Sequence, residues 1–273
     1  MLLGIDIGGT TISLGLVEGT RILKKICVPS FAPDATLEET LDYLCSMIEK
    51  VITPDVNRIG VGVPTLVDAA AGVVYDAANI PSWKEVPLKA LLEKRFGVEV
   101  GVNNDANCYA LGASAKLGHK YSPLVCITLG TGTGVGIVND GKVFSGVNCG
   151  AGELCSLPYN GKDYESFCSK QFFLAHGIEP KEASETVLKG NADAIKLMNE
   201  FGRHLGELIT VVMYAYDPGC VVLGGGVANG APYFMDSLKK TLRERYTYTR
   251  FLDKLDIHVM PEADLALLGA SLL

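Results

Sequence analysis

A glycine-rich turn occurs twice in this chain, each time between two apolar, β-branched runs. Asp6-Ile7-Gly8-Gly9-Thr10-Thr11 follows residues 2–5 and leads into 12–17. Leu129-Gly130-Thr131-Gly132-Thr133-Gly134 follows residues 124–127 and leads into 135–138. Strand, Gly/Thr turn, strand predicts a hairpin whose tip bares backbone N–H groups with no side chain in the way. One such tip alone is most simply a turn. Two of them, each heading one half of the chain, predict two related halves. Two tips facing each other across a cleft would hold a polyphosphate through backbone donors and threonine hydroxyls.

The rest of the chain supports two α/β halves. Residues 2–7, 12–17 and 21–28 read as three strands joined by tight turns. Leu37, Leu41, Leu44, Cys45, Ile48, Val51 and Ile52 then recur at helical spacing. Strands are expected at 58–63 and 99–102, and helices at 88–96 and from an entry at 103–107, where Asn and Asp are good N-cap residues, to about Leu117. A linker at 118–123 opens the second half, where strand, turn and strand recur before an irregular stretch at 145–161. Phe201, Leu205, Leu208, Ile209, Val212 and Tyr216 mark a long helix, with strands at 220–223 and 257–260 and a helix over about 233–246 between them. The tail, 264–272, reads as a helix. Domains are expected at 1–117 and 118–261, with the helix at about 262–273 packing back on the first. A cleft between domains is the usual place for a ligand.

With 273 residues the chain can bury a large core, and its net charge of −7 argues against nucleic acid as a partner. No apolar run approaches the roughly 20 residues of a membrane span. Met1 leads directly into a strand, so no signal peptide is expected. The eight cysteines, Cys27, Cys45, Cys108, Cys126, Cys149, Cys155, Cys168 and Cys220, include no CxxC and read as reduced thiols filling the core of a cytoplasmic protein.

Asp105 is the first candidate for chemistry. It follows a strand end at a helix start, where the dipole favours a carboxylate. Asp there is also a common N-cap, so its neighbours matter. Asn104 and Asn79 offer amides, and Glu153 and Glu165 add acceptors. Carboxylates and amides together suit a polyhydroxylated substrate, because each hydroxyl must be paired when it leaves water. Gly224-Gly225-Gly226, after a strand, allows close approach of a base or ribose, though such a run is also an ordinary turn into a helix. Neither a GxxxxGK[ST] loop nor a dinucleotide-fold glycine spacing is present.

In order along nearly the whole chain, these segments resemble the ROK family (repressors, uncharacterised reading frames and sugar kinases). Gly4-Ile5-Asp6-Ile7-Gly8-Gly9-Thr10-Thr11 is similar to its first phosphate element, and Leu129-Gly130-Thr131-Gly132-Thr133-Gly134 to its second. Asn79-Ile80-Pro81-Ser82-Trp83 resembles its sugar loop, and Asn104-Asp105-Ala106-Asn107 the segment with its catalytic Asp. Gly150-Ala151-Gly152-Glu153-Leu154 resembles its Gly-x-x-Gly-Glu, and Val222-Leu223-Gly224-Gly225-Gly226-Val227 its adenosine element. The resemblance implies two actin-like, ribonuclease H-like ATPase domains facing a central cleft. It further implies an ATP-dependent kinase acting on a hexose or amino sugar, with a homodimer as its assembly.

By that resemblance Asp105 is the general base toward a sugar hydroxyl, most simply O6. Asn79, Asn104, Glu153, Ser156 and Glu165 would bind the sugar. Asp6, Gly8, Gly9, Thr10, Thr11, Gly130, Thr131, Gly132 and Thr133 would hold the phosphates, and Gly224, Gly225 and Gly226 the adenosine. Asp6 would orient Mg²⁺ through water. Two departures stand out. Cys155 and Ser156 replace the family's Gly-His, and Pro158-Tyr159-Asn160-Gly161-Lys162-Asp163-Tyr164-Glu165 replaces its zinc-binding cysteine cluster, retaining only the final Glu. No zinc site is expected, since zinc needs about four N or S ligands in tetrahedral array. Packing by Phe167, Phe172 and Phe173 is expected to hold the loop instead. Two other readings remain open: a sugar-binding or sensing protein that has lost catalysis, and a transcriptional regulator of the same family. The phosphate element lies within six residues of Met1, so no helix-turn-helix is expected before it.

Overall fold

A computed structural model describes residues 1–77 and 79–273. The chain divides into two compact units. Unit 1 comprises Met1–His119, Gly141–Ala151 and Asp264–Leu273; unit 2 comprises Lys120–Asp140 and Gly152–Ala263. Elements are numbered in chain order. Among the described residues no helix is long and apolar enough to cross a membrane.

Unit 1 is built on a sheet of order β3-β2-β1-β4-β8. Its strands are β1 (Leu2–Ile7), β2 (Thr11–Glu18), β3 (Arg21–Pro29), β4 (Arg58–Val63) and β8 (Glu99–Asn104). β1 is antiparallel to β2 and parallel to β4, and β4 is parallel to β8. Leu3, Ile5, Ile7, Ile12, Leu14, Ile59, Val61 and Val63 are fully buried. Each such side chain contributes about 1.5–3 kcal/mol on leaving water. Short strands β5 (Val67–Asp68), β6 (Val73–Tyr75) and β7 (Glu85–Val86) form a second small sheet. Lys142–Val143 is β11. Helix α1 (Leu37–Glu49) starts at a capping box in which Thr36 and Glu39 satisfy each other's backbone N–H. Helix α2 (Leu88–Phe96) ends at Gly97, in the left-handed conformation that stops helices.

Helix α3 (Asp105–Lys116) is buried from Ala106 to Ala115, and α9 (Asp264–Ser271) packs against it and against β1 and β4. The contact is backbone on backbone. A Cβ at Gly60 on β4 would stand 1.6 Å from the Ala270 carbonyl oxygen, so only glycine fits there. The Arg58 guanidinium donates to the Leu273 carbonyl (2.8 Å), and Lys25 pairs with Asp264, tying both ends of this helix to the sheet.

Unit 2 repeats the strand plan: an antiparallel hairpin, then two parallel strands. β10 (Thr133–Asn139) pairs antiparallel with β9 (Leu124–Leu129), which is parallel to β14 (Cys220–Gly224), itself parallel to β15 (Asp256–Val259). A hairpin of β12 (Pro158–Tyr159) and β13 (Lys162–Asp163) begins inside the stretch that reads as irregular and ends just beyond it. Helices α4 (Tyr164–Cys168), α5 (Lys170–Ala175), α6 (Pro180–Leu188), α7 (Ala192–Tyr216) and α8 (Ala231–Arg245) complete the unit.

Candidate active site

In unit 1 the carboxyl ends of three strands are level. Asp6 on β1 is opposite Gly62 on β4, which is opposite Asn103 on β8. Asp105 opens α3 directly after β8. Asn104 is the N-cap: its Oδ1 accepts from the Ala106 (2.9 Å) and Asn107 (3.3 Å) amides, and its Nδ2 donates to the Thr65 carbonyl (3.2 Å). Asn103 Oδ1 accepts from the Asn104 amide and from Asn107 Nδ2, bracing the same turn from behind. Asp105 Oδ1 accepts from the Ala106 amide at 2.8 Å, which sets the carboxylate's direction.

The first Gly/Thr tip is closed by the Gly8 amide donating to the Thr11 carbonyl (2.8 Å) and by the Ser30 hydroxyl donating to the Gly8 carbonyl (2.8 Å). Gly9, Thr10 and Thr11 are exposed. Asn79 lies beside this tip, its Nδ2 3.4 Å from where a Gly9 Cβ would stand. Trp83 has a different role from Asn79. It is fully buried, its indole donates to Thr40 Oγ1 (2.8 Å), and its ring packs on Phe31. Backbone bonds from Ala77 to the Trp83 carbonyl and from Trp83 to the Ile80 carbonyl fold the loop around this anchor. Trp83→Phe keeps an aromatic ring on Phe31 but loses the indole bond and part of the buried volume. A stability loss of about 1–2 kcal/mol is expected by urea denaturation, and an unchanged midpoint would refute the anchor role.

Burial, and then the nearby Asp105 charge, push the Asp6 carboxyl up to about 7, with Lys25 opposing. The unfolded chain releases this proton near pH 4, whereas the folded chain keeps it to about pH 7. Folded protein therefore binds the extra proton between those values, and stability falls as pH rises through the window. Asp6→Asn should remove the slope. The variant's melting temperature is expected to gain on wild type between pH 4 and 8, by the equivalent of about 2 kcal/mol after discounting for partial exposure. A constant difference across that range would refute it.

In unit 2 the second tip closes by the Gly130 amide donating to the Gly132 carbonyl (2.9 Å), and the Gly130 carbonyl accepts from Lys170 at the start of α5 (2.9 Å). Thr131 is exposed. Thr133 is not: it is buried and its hydroxyl donates to the Cys168 carbonyl (2.9 Å), so it anchors the tip from below. Glu165, on α4, lies beside Gly132, its Oε1 3.1 Å from where a Cβ would be. Each unit thus sets an amide or carboxylate side chain against a glycine of its own tip. Gln171 Nε2 donates to Glu165 Oε1 at 3.0 Å, a partner the sequence reading did not single out.

Glu153 and Ser156 are exposed on a 3₁₀ turn, Glu153–Ser156, with Cys155 turned inward between them. Burial, then Glu165 and Glu153, push the Cys155 thiol up to about 12. The third glycine element arrives at the same end of the sheet. Gly225 has φ +80, and a Cβ there would stand 2.5 Å from the Leu129 carbonyl. Only glycine lets the chain cross so close to the second tip, leaving Gly226 open to solvent.

Asp6 and Asp105 offer hard oxygen donors, and the Asp105 charge helps raise the Asp6 carboxyl; donors of this kind fit Mg²⁺. Zinc does not fit the hairpin. Residues 157–164 contain neither thiol nor imidazole. Among the described residues, no three His, Cys, Asp or Glu side chains come together as a metal site.

The ROK family model matches residues 2–273. The glucokinase of Thermotoga maritima is 26% identical, over 99% of this chain and 96% of its own. The N-acetyl-D-glucosamine kinase of Haemophilus influenzae is 31% identical over 89% of each. The crystal structure of a ROK family glucokinase from Streptomyces griseus, in complex with glucose and AMPPNP, superposes with a TM-score of 0.81 at 28% identity, covering 99% of this chain and 97% of that one. The actin-like α/β class expected from the sequence is the class of that structure. With every motif falling inside a match to nearly the full length, the chain belongs to the ROK family.

Proposed function

We propose that this protein transfers the γ-phosphoryl group of ATP to O6 of a hexose, with Asp105 as the general base. It is an ATP-dependent carbohydrate kinase; the position attacked, the base and the roles below are our reading. The observation that carries it is the capped turn at the end of β8, which aims Asp105 from the start of a buried helix beside Asp6.

Asp105 takes the proton of the acceptor hydroxyl as its oxygen bonds to the γ-phosphorus, and the bond to the β-phosphate oxygen breaks to release ADP. Gly9, Thr10 and Thr11 with Thr131 and Gly132 present N–H and O–H donors to the phosphates, while Gly8 and Gly130 shape the tips that their own amides close. Thr133 supports them from the interior. Gly224, Gly225 and Gly226 take the adenosine. Asn79, Glu153, Ser156 and Glu165 pair the sugar hydroxyls, and Asn104 contributes its remaining amide proton. Mg²⁺, when bound, would offset charge on the transferring group, and Asp6 is the residue that would help hold it.

The test is a coupled assay of ADP release with Mg·ATP over glucose, mannose, fructose, allose and N-acetylated amino sugars. Sugar-dependent turnover with 6-phosphorylated product supports the reading. ADP release indifferent to every sugar, or a product phosphorylated elsewhere, would overturn it. The second reading, a sugar-binding protein without catalysis, is favoured by Ser156 in place of the family's His. It predicts a sugar-induced rise in melting temperature without turnover.

A further inference from the structure

The hairpin that stands in place of a cysteine cluster is held by an aromatic cluster built around one buried histidine. Asn160 and Gly161, both with positive φ, make its two-residue tip. Tyr159 stacks on Tyr164 (centroids 4.3 Å apart, planes at 11°) and meets Phe167 edge-on (5.4 Å, 90°). Its hydroxyl shares a 2.9 Å hydrogen bond with Nδ1 of His204, which is 2% exposed on α7. Phe167 and Phe172 pack on the same imidazole, at 4.8 and 5.6 Å. Asp163 closes the arrangement by capping α4 through the Ser166 amide (2.8 Å).

Glu165 sits between two residues of this cluster, Tyr164 and Phe167, on a helix of only five residues. So short a helix has no stability of its own and takes its position from its contacts. The contacts on either side of Glu165 lead, through Tyr159, to His204. We infer that the Tyr159–His204 hydrogen bond, inside this aromatic cluster, positions Glu165 for the acceptor sugar and does so without a metal ion. Tyr159 and His204 are positioning residues. Burial holds the imidazole neutral, with its pKa near 4, so the cluster needs no counter-ion at neutral pH. The inference rests on the reading of Glu165 as a sugar ligand.

Tyr159→Phe tests it, since the ring stacking stays and only the hydroxyl goes. The acceptor KM is expected to rise about 3- to 10-fold, the worth of one hydrogen bond. Nucleotide KM and kcat should change less than about 2-fold. An acceptor KM equal to wild type would overturn the inference. Should this variant not fold, the pair His204→Gln and His204→Leu serves. Gln keeps a neutral hydrogen-bonding group facing the phenol and should stay near wild type, while Leu should raise the acceptor KM; equal values for the two would overturn it. Metal analysis of the purified protein should find zinc far below one equivalent, and a stoichiometric content would overturn the metal-free part. Failure of the kinase reading is seen separately, as wild type without sugar-dependent ADP release. The same variants are then compared by the melting shift that glucose or N-acetylglucosamine induces. A smaller shift in Tyr159→Phe supports positioning, and an equal shift overturns it.

Discussion

Asp105→Asn is expected to lower kcat by about 10²- to 10⁴-fold, the usual worth of a positioned general base. The amide has nearly the shape of the carboxylate and can still accept from the Ala106 amide, the 2.8 Å bond that orients residue 105. Asn104 would still cap α3, so the turn should persist. What the amide cannot do is take a proton at neutral pH. The acceptor KM and the sugar-induced melting shift should therefore stay within a few-fold of wild type. Undiminished kcat would remove Asp105 from the role of base. The variant has a second signature. Asp105 is the chief charge holding the Asp6 carboxyl up, after burial itself. Its removal should lower the upper limit of the pH window in which stability falls.

Gly60→Ala is the largest expected loss of stability, about 3 kcal/mol or more, at the upper end for overpacking a core. The added methyl carbon would stand 1.6 Å from the Ala270 carbonyl oxygen, which belongs to a helix backbone and cannot rotate aside. Gly4 and Gly269 tell the same story, with Cβ positions 2.2 Å from the Leu267 oxygen and 1.7 Å from the Cys108 oxygen. α9 would have to lift from β1, β4 and α3 together. Hydrogen exchange should show lost protection over Asp264–Ser271 and β4, with β9 and β14 of unit 2 protected as before. Gly150→Ala is the control, because no atom lies within 4 Å of its Cβ position and its φ is unremarkable. If both variants melt with wild type, the close approach does not matter to stability.

Hairpins were the most legible part of the chain, because an apolar run on each side of a glycine tip is a local signal. The tail helix was legible for its apolar run. The apolar period marks the long helix only from Phe201, whereas α7 begins at Ala192. Its first nine residues bury only Ala194 and Met198, too few to show a period. Helices α4, α5 and α6, and the two- and three-residue strands between Val67 and Val86, are not legible in the sequence, because one or two turns or a single pair leave no periodicity. In the site, the motif positions could be named but not their partners. The Trp83 indole reaches Thr40, the Thr133 hydroxyl reaches Cys168 and Tyr159 reaches His204, across 43, 35 and 45 positions of sequence. Such pairings are decided by tertiary packing, and nothing local announces them. Asn104 illustrates the converse. Its residue type suits both a sugar amide and an N-cap, and its amide oxygen caps α3, as Asn at that helix entry leads one to expect.

The seam of glycines under α9 also sets an order of events during synthesis. β1 and β4 are made early, yet the helix that covers them is Asp264–Ser271. Every residue of unit 2 has by then been polymerised. About 200 residues separate the end of β4 from the start of that helix, roughly 10 to 40 seconds of translation at ordinary speeds. Through that interval the nascent sheet of unit 1 has one face without its cover, an opening for a chaperone or for aggregation. The half of the molecule that leaves the ribosome first is the half that finishes folding last.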